Sequence, residues 1–495
     1  MRTRRIVLAL VLAACSPVPA QPPPPAPLAI ASIGTAPPPP PSAAPPAVAA
    51  QVPEYARPLL PESGATDADV AAAAKELTRR AEARETIEPG ASDALWQGFA
   101  AFRPSKTKSI SLVKALHDAV LAVKAPAYGP KAAALLAVQL RDPHDTAEIM
   151  DQVQFLQNTA AQVIGALEYT GGAKALVKVL LTPDKQGLQF PARSALARMP
   201  DASEPLLVAA LRGGDPELDA LTAAYPSRGD VPRVADALAR ISRPAGRDAV
   251  LVALERASSD DNRTALALTL PSFPHDAPLV LAFKSAYAKL DPAASVAMLG
   301  GANARALLLG GAAGFFDPSL VPWILKEVAA ARGAPADEMM VQGWSSAVKL
   351  MTTTSASSVG AAIGARGPSL EKELHKSAAA VLAQCKQDPA CYVSALDTAP
   401  PKGGPIKAAW MAAVYGDAAT RDALVKKLAT VTDASLRFAM ATAVLHLSPR
   451  GDAAAANSLD AIVAADVKAG RQGGLDELRA VAMQLRARAM LRSTP

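Results

Sequence analysis

The sequence predicts an all-α protein: short helical hairpins stacked in series behind an extended N-terminal segment. Three observations predict it. Half of the 495 residues are hydrophobic but only 4% are aromatic, and alanine is the dominant apolar type. Alanine has the highest helix propensity, and its small side chain lets helices approach closely. From Ser63 onward apolar residues recur at spacings of three and four, with Gly, Pro or Asp breaks roughly every 10–18 residues. Before that point prolines are dense, 17 of the chain's 44 lying between Pro17 and Glu62, so neither helix nor central strand fits there.

The first element is residues 1–14. "MRTRRIVLALVLAAC" has a basic start, an apolar run from Ile6 to Ala14 and then small residues, which is the pattern of a secretory signal. The run falls well short of the ~20 residues that a membrane-spanning helix needs. Leu12-Ala13-Ala14-Cys15 resembles the lipobox of bacterial lipoproteins. That resemblance implies cleavage before Cys15 and a lipid on the new N-terminal cysteine. Ser16 stands where an aspartate would resemble the inner-membrane retention signal of Gram-negative lipoproteins, which implies the outer membrane and leaves the leaflet open. Losing Arg2, Arg4 and Arg5 with the signal lowers the formal charge from +6 to +3. So small a surplus, with no run of five or six like charges, gives no electrostatic footprint for nucleic acid.

Residues 15–62 follow as a disordered linker. "QPPPPAP" and "APPPPPSAAPP" favour an extended, solvated polyproline chain. Fully stretched, at ~3.1 Å per residue, it would reach on the order of 140 Å. It reads as a stalk that holds a domain away from a membrane. A proline-rich ligand for a recognition module or for cell-wall material is the alternative.

Residues 63–495 carry the hairpins. In "NTAAQVIGALEYTGGAKALVKVLL" (158–181), Ala161, Ile164, Ala166 and Leu167 make one apolar face, and Gly171-Gly172 supply the break and a left-handed cap. Ala175, Leu176, Val179 and Leu180 make the face of the next helix. "AAWMAAVYGDAATRDALVKKLA" (408–429) repeats the scheme around Gly416-Asp417, with "ALVK" in the same place. Degenerate copies run over 191–211, 231–257 and 437–463. One hairpin cannot bury both its faces, whereas a stack makes a continuous core. This body resembles the short, alanine-rich HEAT-like repeats of bacteria, which implies a right-handed α-solenoid. Tetratricopeptide repeats favour a regular period and aromatic positions that are missing here; armadillo packing is indistinguishable at this level. "MLGGANARALLLGGAAGFF" (298–316) fits least well and reads as a distorted repeat or a bend between two solenoid halves.

Chemistry-bearing residues are few. Cys385 and Cys391 flank Asp388-Pro389, a turn, and cysteines at the two ends of a short turn come within disulfide range. An exported chain meets an oxidising compartment, where such a pair persists. The C-x5-C spacing is not the C-x-x-C of redox motifs, and zinc would need about four ligands where only His375 lies nearby. Of the five histidines, His117, His144 and His275 each precede an aspartate, but these pairs are scattered and read as helix-end and turn residues; the other two are His375 and His446. "GWSSA" (343–347) misses the nucleophile-elbow spacing, and neither a phosphate-binding loop nor a dinucleotide fingerprint occurs. Glu371 and Glu373 read as exposed helix positions, and Trp96, Trp323, Trp344 and Trp410 as core. The expectation is therefore no catalytic residues, no metal and no cofactor. Expected partners are envelope proteins and the membrane, through the lipid on Cys15. An accessory enzyme subunit, lyase-like by the label some HEAT-like repeats carry, and a small-ligand-binding lipoprotein are the rival classes.

Overall fold

The computed structural model describes residues 51–490 apart from 108, 225–229, 334 and 472. Residues 1–14, Cys15 and most of the linker lie outside the described residues. The described residues are almost entirely helical, with one minimal β-hairpin, Ser295–Val296 against Ala302–Asn303. They fall into two compact units divided at Val123/Lys124. Lys124 adopts a left-handed conformation (φ 49°), and Pro126 follows it. Such a break ends the preceding helix.

The first unit opens with a 3₁₀ helix, Glu54–Leu59, then α1 (Asp67–Glu82), α2 (Pro89–Ala101) and α3 (Ile110–Val123). Thr66 and Asp69 form a reciprocal capping box that fixes the start of α1. α1 packs on α3 and on the 3₁₀ helix. Ala56 and Leu59 are fully buried, and Gly98 of α2 leaves room for the Leu59 carbonyl. The packed body thus begins near residue 54, inside the stretch assigned to the linker. Tyr55 explains the difference: its ring lies under the Arg80 guanidinium at 4.1 Å and its hydroxyl donates to Glu88. These contacts tie down a Pro-containing segment that local propensity alone leaves extended.

The second unit begins with α4 (Tyr128–Ala137). A π-helical segment, Ile149–Gln157, then runs into α5 (Asn158–Leu167). There follow α6 (Ala173–Leu181), α7 (Gln189–Arg198), α8 (Pro200–Arg212), α9 (Pro216–Ala224), α10 (Asp230–Ile241), α11 (Pro244–Arg256), α12 (Asp260–Thr269) and α13 (Ala277–Lys289). Next come α14 (Ala304–Gly311), α15 (Val321–Ala330), α16 (Ala336–Leu350), α17 (Ala356–Arg366), α18 (Ser369–Cys385) and α19 (Pro389–Thr398). The last are α20 (Gly404–Tyr415), α21 (Ala418–Leu428), α22 (Ala434–His446), α23 (Ala453–Lys468) and α24 (Leu475–Met490).

One row of these helices packs in sequence: α4, α5, α7, α10, α12, α14, α16, α20, α22, α24. α18 bridges α16 and α20, and intervening helices such as α11, α15, α21 and α23 pack against the row. This is the serial helical packing that the repeats predict. The row also closes, because α24 packs against α7 and α10. Residues 298–316 do not interrupt it, since α14 packs on both α12 and α16. Gly300 and Gly301 take positive φ (73° and 78°), and the other three glycines there serve close approach. A Cβ on Gly310 would meet Gln342 at 2.6 Å, on Gly311 Leu268 at 2.8 Å, and on Gly314 Pro271 at 2.9 Å.

One local expectation is corrected. The left-handed residue after α5 is Glu168 (φ 49°), not Gly171 or Gly172. The two glycines are needed for space instead. A Cβ on Gly171 would strike the Tyr169 ring at 2.6 Å, and one on Gly172 would strike Ile164 at 2.8 Å. The Gly416-Asp417 break behaves as expected, Asp417 accepting from Thr420 N at 3.0 Å to cap α21.

Candidate functional site

The row closes where the ends of several helices meet, and the closure gathers polar side chains from distant parts of the chain. Arg488, on the last turn of α24, is almost fully buried. Its Nη1 donates to Leu445 O (3.1 Å) and Ser448 O (3.2 Å) at the end of α22. Its Nη2 donates to Ser242 Oγ and Ser272 O, both at 2.8 Å, beyond the ends of α10 and α12. Ser242 Oγ in turn donates to Ser272 O at 2.6 Å, and Ser242 holds a left-handed φ of 61°. Arg243 reciprocates: its Nε donates to Ala487 O at 3.2 Å, while Nη1 meets Asp201 at 2.6 Å.

The Arg488 acceptors are neutral, yet all but the Ser242 hydroxyl are carbonyls at the ends of helical segments, which carry partial negative charge. That supplies the compensation a buried guanidinium needs. Burial still pushes Arg488 down to about 10, and it remains a cation at neutral pH.

Beside this clasp lie two imidazoles. His446 ends α22 and stacks on Phe316 (ring centroids 4.5 Å apart), which stacks on Trp410 (4.9 Å). Trp410 Nε1 donates to Ala313 O at 3.2 Å, and the Lys349 ammonium sits 5.3 Å from the Trp410 ring centre. Phe316 reaches this place through a left-handed φ of 53°, an uncommon conformation for a bulky residue. His275, 38% exposed, faces Asp317 with Nε2 and Oδ2 3.4 Å apart and meets Phe315 edge-on. Burial pushes His446 down to about 4, and the nearby charges of His275 and Arg488 add to the shift. Burial raises the Asp317 carboxyl, but hydrogen bonds from Ser319 and the proximity of His275 outweigh it and hold the group below its ordinary range.

The sequence pairs dissolve on inspection. Asp276 binds Arg247 (3.0 Å), so His275 uses Asp317 instead of its neighbour. Asp118 pairs with Lys114, and Asp145 caps the Thr146–Glu148 turn. His144 contributes its backbone N–H to Asp142 at 2.9 Å. His375 bonds Ala356 O at 2.9 Å. Burial lowers His117. Glu373 is exposed and pairs with Lys402 (2.8 Å). "GWSSA" is helical, and Ser346 donates to Gly310 O (2.8 Å). Trp96, Trp344 and Trp410 are buried, and Trp323 packs edge-on against Tyr287 at 5.2 Å.

Cys385 and Cys391 stand at disulfide distance, with Cα atoms 5.3 Å apart, linking the end of α18 to the first turn of α19. Cys15 lies outside the described residues. Among the described residues no group of three His, Cys, Asp or Glu is arranged to hold a metal ion, and no helix is long and apolar enough to cross a membrane.

The residues that reading the sequence missed are Arg243, Arg488 and Phe316. One signal was available for Arg488. It continues the Leu478, Val481, Leu485 stripe of α24, and a cation in line with an apolar face announces a buried charge. Nothing local marks Phe316, whose place depends on α20 and α22.

Fold and site together define an all-helical protein whose second unit is a closed row of packed hairpins. No family model matches the chain, and no curated protein matches it at a significant level.

Proposed function

We propose that this chain is a lipid-anchored, extracytoplasmic protein of HEAT-like repeats that binds other proteins and scaffolds a cell-envelope assembly, at the outer membrane. The observation that carries the reading is an order along the sequence: Leu12-Ala13-Ala14-Cys15, then the Pro-rich stretch, then hairpin after hairpin. A lipid and a stalk suit a body that works at a distance from its membrane, and helical-repeat arrays offer extended surfaces for partners. The Cys385–Cys391 pair at disulfide distance fits an oxidising compartment. Substituting Cys15→Ser and fractionating cells tests the anchor. Release into the soluble fraction, with a size shift from lost processing, is expected; unchanged membrane association and processing would overturn it. Crosslinking in intact envelopes followed by mass spectrometry of a tagged chain tests the scaffold, with reproducible envelope partners expected.

A second reading is favoured by one observation, the convergence of His275, Asp317 and His446 at the closure. An imidazole oriented by a carboxylate is suited to proton transfer or to holding a small polar ligand. If this reading holds, His275→Ala abolishes ligand binding or turnover and leaves membrane association intact.

A further inference from the structure

The closure is also where an added charge would do most. We infer that α24 is an acid-released latch: it closes the row of the second unit at neutral pH and lets go when the His446 imidazole beside Arg488 becomes cationic. The inference is independent of the lipid anchor. It rests on the way α24 is held.

Leu445 O and Ser448 O, which bracket His446 in sequence, are the acceptors that bind Arg488 Nη1. An imidazolium at 446 would sit beside the guanidinium and compete for the same helix end. The charged and titratable groups around His446 are few. From the loop after α12 comes His275; from the loop before α15 comes Asp317, already engaged with His275. From α24 comes Arg488. Behind it stands Arg243, matched by Asp201 at 2.6 Å and Glu204 at 3.8 Å. On the far side of the aromatic stack lies Lys349, over Trp410. On α22 itself, Arg437 is occupied by Asp466 at 2.5 Å.

Protonation of His446 therefore adds a positive charge next to a buried cation, and the one nearby carboxylate, that of Asp317, is already engaged with His275. The seam is also less than fully satisfied: among the described residues, Arg488 Nε, Arg243 Nη2, Ser448 Oγ and Gln484 Oε1 have no hydrogen-bond partner. Elements with incomplete polar pairing open before the well-packed core does.

Hydrogen exchange of the full-length chain reads the latch directly. Between about pH 7 and about pH 4.5, after correction for intrinsic exchange rates, amides of α24 should lose protection on the order of tenfold or more relative to those of α16, the gain expected when a group titrates more than one pK unit higher in the open state. His446→Phe, which keeps a ring on Phe316, and His446→Gln should both suppress the selective loss. Equal loss in α24 and α16, no loss at all, or variants that behave as the unmodified chain would overturn the inference. The comparison of α24 with α16 in the unmodified chain decides the matter even if one variant fails to fold.

Discussion

At the scale of the residue, the second unit depends on buried cations that bind backbone carbonyls of other segments, most of them helix ends. Lys185 Nζ donates to Leu136 O at the end of α4, and Lys407 donates to Lys349 O (2.9 Å) and Met351 O at the end of α16. Arg437 reaches Val431 O and Gly473 O, and Arg488 reaches the end of α22. Lys185, Lys407 and Arg488 meet carbonyls that a helix end leaves unpaired, whereas Arg437 meets loop carbonyls and the Asp466 carboxylate. Burial pushes Lys185 down to about 8 and Lys407 well below the ordinary lysine range. The consequence is a sharp penalty for truncation, since removing a side chain orphans several buried acceptors at about 1–3 kcal/mol each. Arg488→Ala should therefore cost at least about 3 kcal/mol, read as a lower urea midpoint. Gly343 is a second sensitive position, because a Cβ there would collide with Val328 of α15. Gly343→Ala should destabilise by about 1–3 kcal/mol despite its better helix propensity.

At the scale of the element, hairpin existence and hairpin boundaries differ in legibility. The 3.6-residue apolar period and the Gly-Asp break place α20 and α21 correctly, because Asp417 needs only its own next three residues to cap a helix. The left-handed turn at Glu168 was not legible. Its conformation is fixed by how Tyr169 and Ile164 pack over Gly171 and Gly172, and those contacts are tertiary. The 54–59 turn was hidden for the same reason, since Pro53 and Pro58 speak for an extended chain while Tyr55, Arg80 and Glu88 fold it. The α18–α19 turn needs little tertiary help. Asp388 caps α19 through Ala390 N (2.9 Å), and Tyr392 closes the turn onto Lys386 O. A disulfide across so short a loop should contribute ~2 kcal/mol. Cys391→Ser, or reduction of the intact chain, should lower the denaturation midpoint by that amount. Free thiols on both cysteines under non-reducing mass spectrometry would rule the bridge out.

At the scale of the whole molecule, the clearest expected behaviour is a stability that declines in mild acid. His446 titrates at about 4 in the folded chain and at about 6.5 when unfolded, so the unfolded chain takes up the proton first. The contribution from neutral His446 is fully present above pH ~6.5 and is lost as the pH falls towards ~4, at up to about 1.4 kcal/mol per unit and about 3 kcal/mol in all. Carboxylates such as Asp417 and Asp466 are held below their ordinary range, so their contribution is present above ~3.8 and disappears only below it. The two windows separate. Urea unfolding of the unmodified chain and of His446→Phe, followed from about pH 7 to about pH 3, should diverge in the upper window and run parallel below it.

The sequence by itself determined the helical class, the hairpin units and the approach of Cys385 to Cys391 across a turn. Each follows from spacing over a few residues, where periodicity and capping chemistry are local. It also supplied Leu12-Ala13-Ala14-Cys15 and the Pro-rich stretch on which the proposed location rests. Only the tertiary structure decided that α24 returns to α7 and α10. Only it decided that His275 takes Asp317 over Asp276, and that Arg488 joins positions as far away as Ser242. Those pairings cross tens to hundreds of residues, and no local pattern encodes which helix end a buried guanidinium will find.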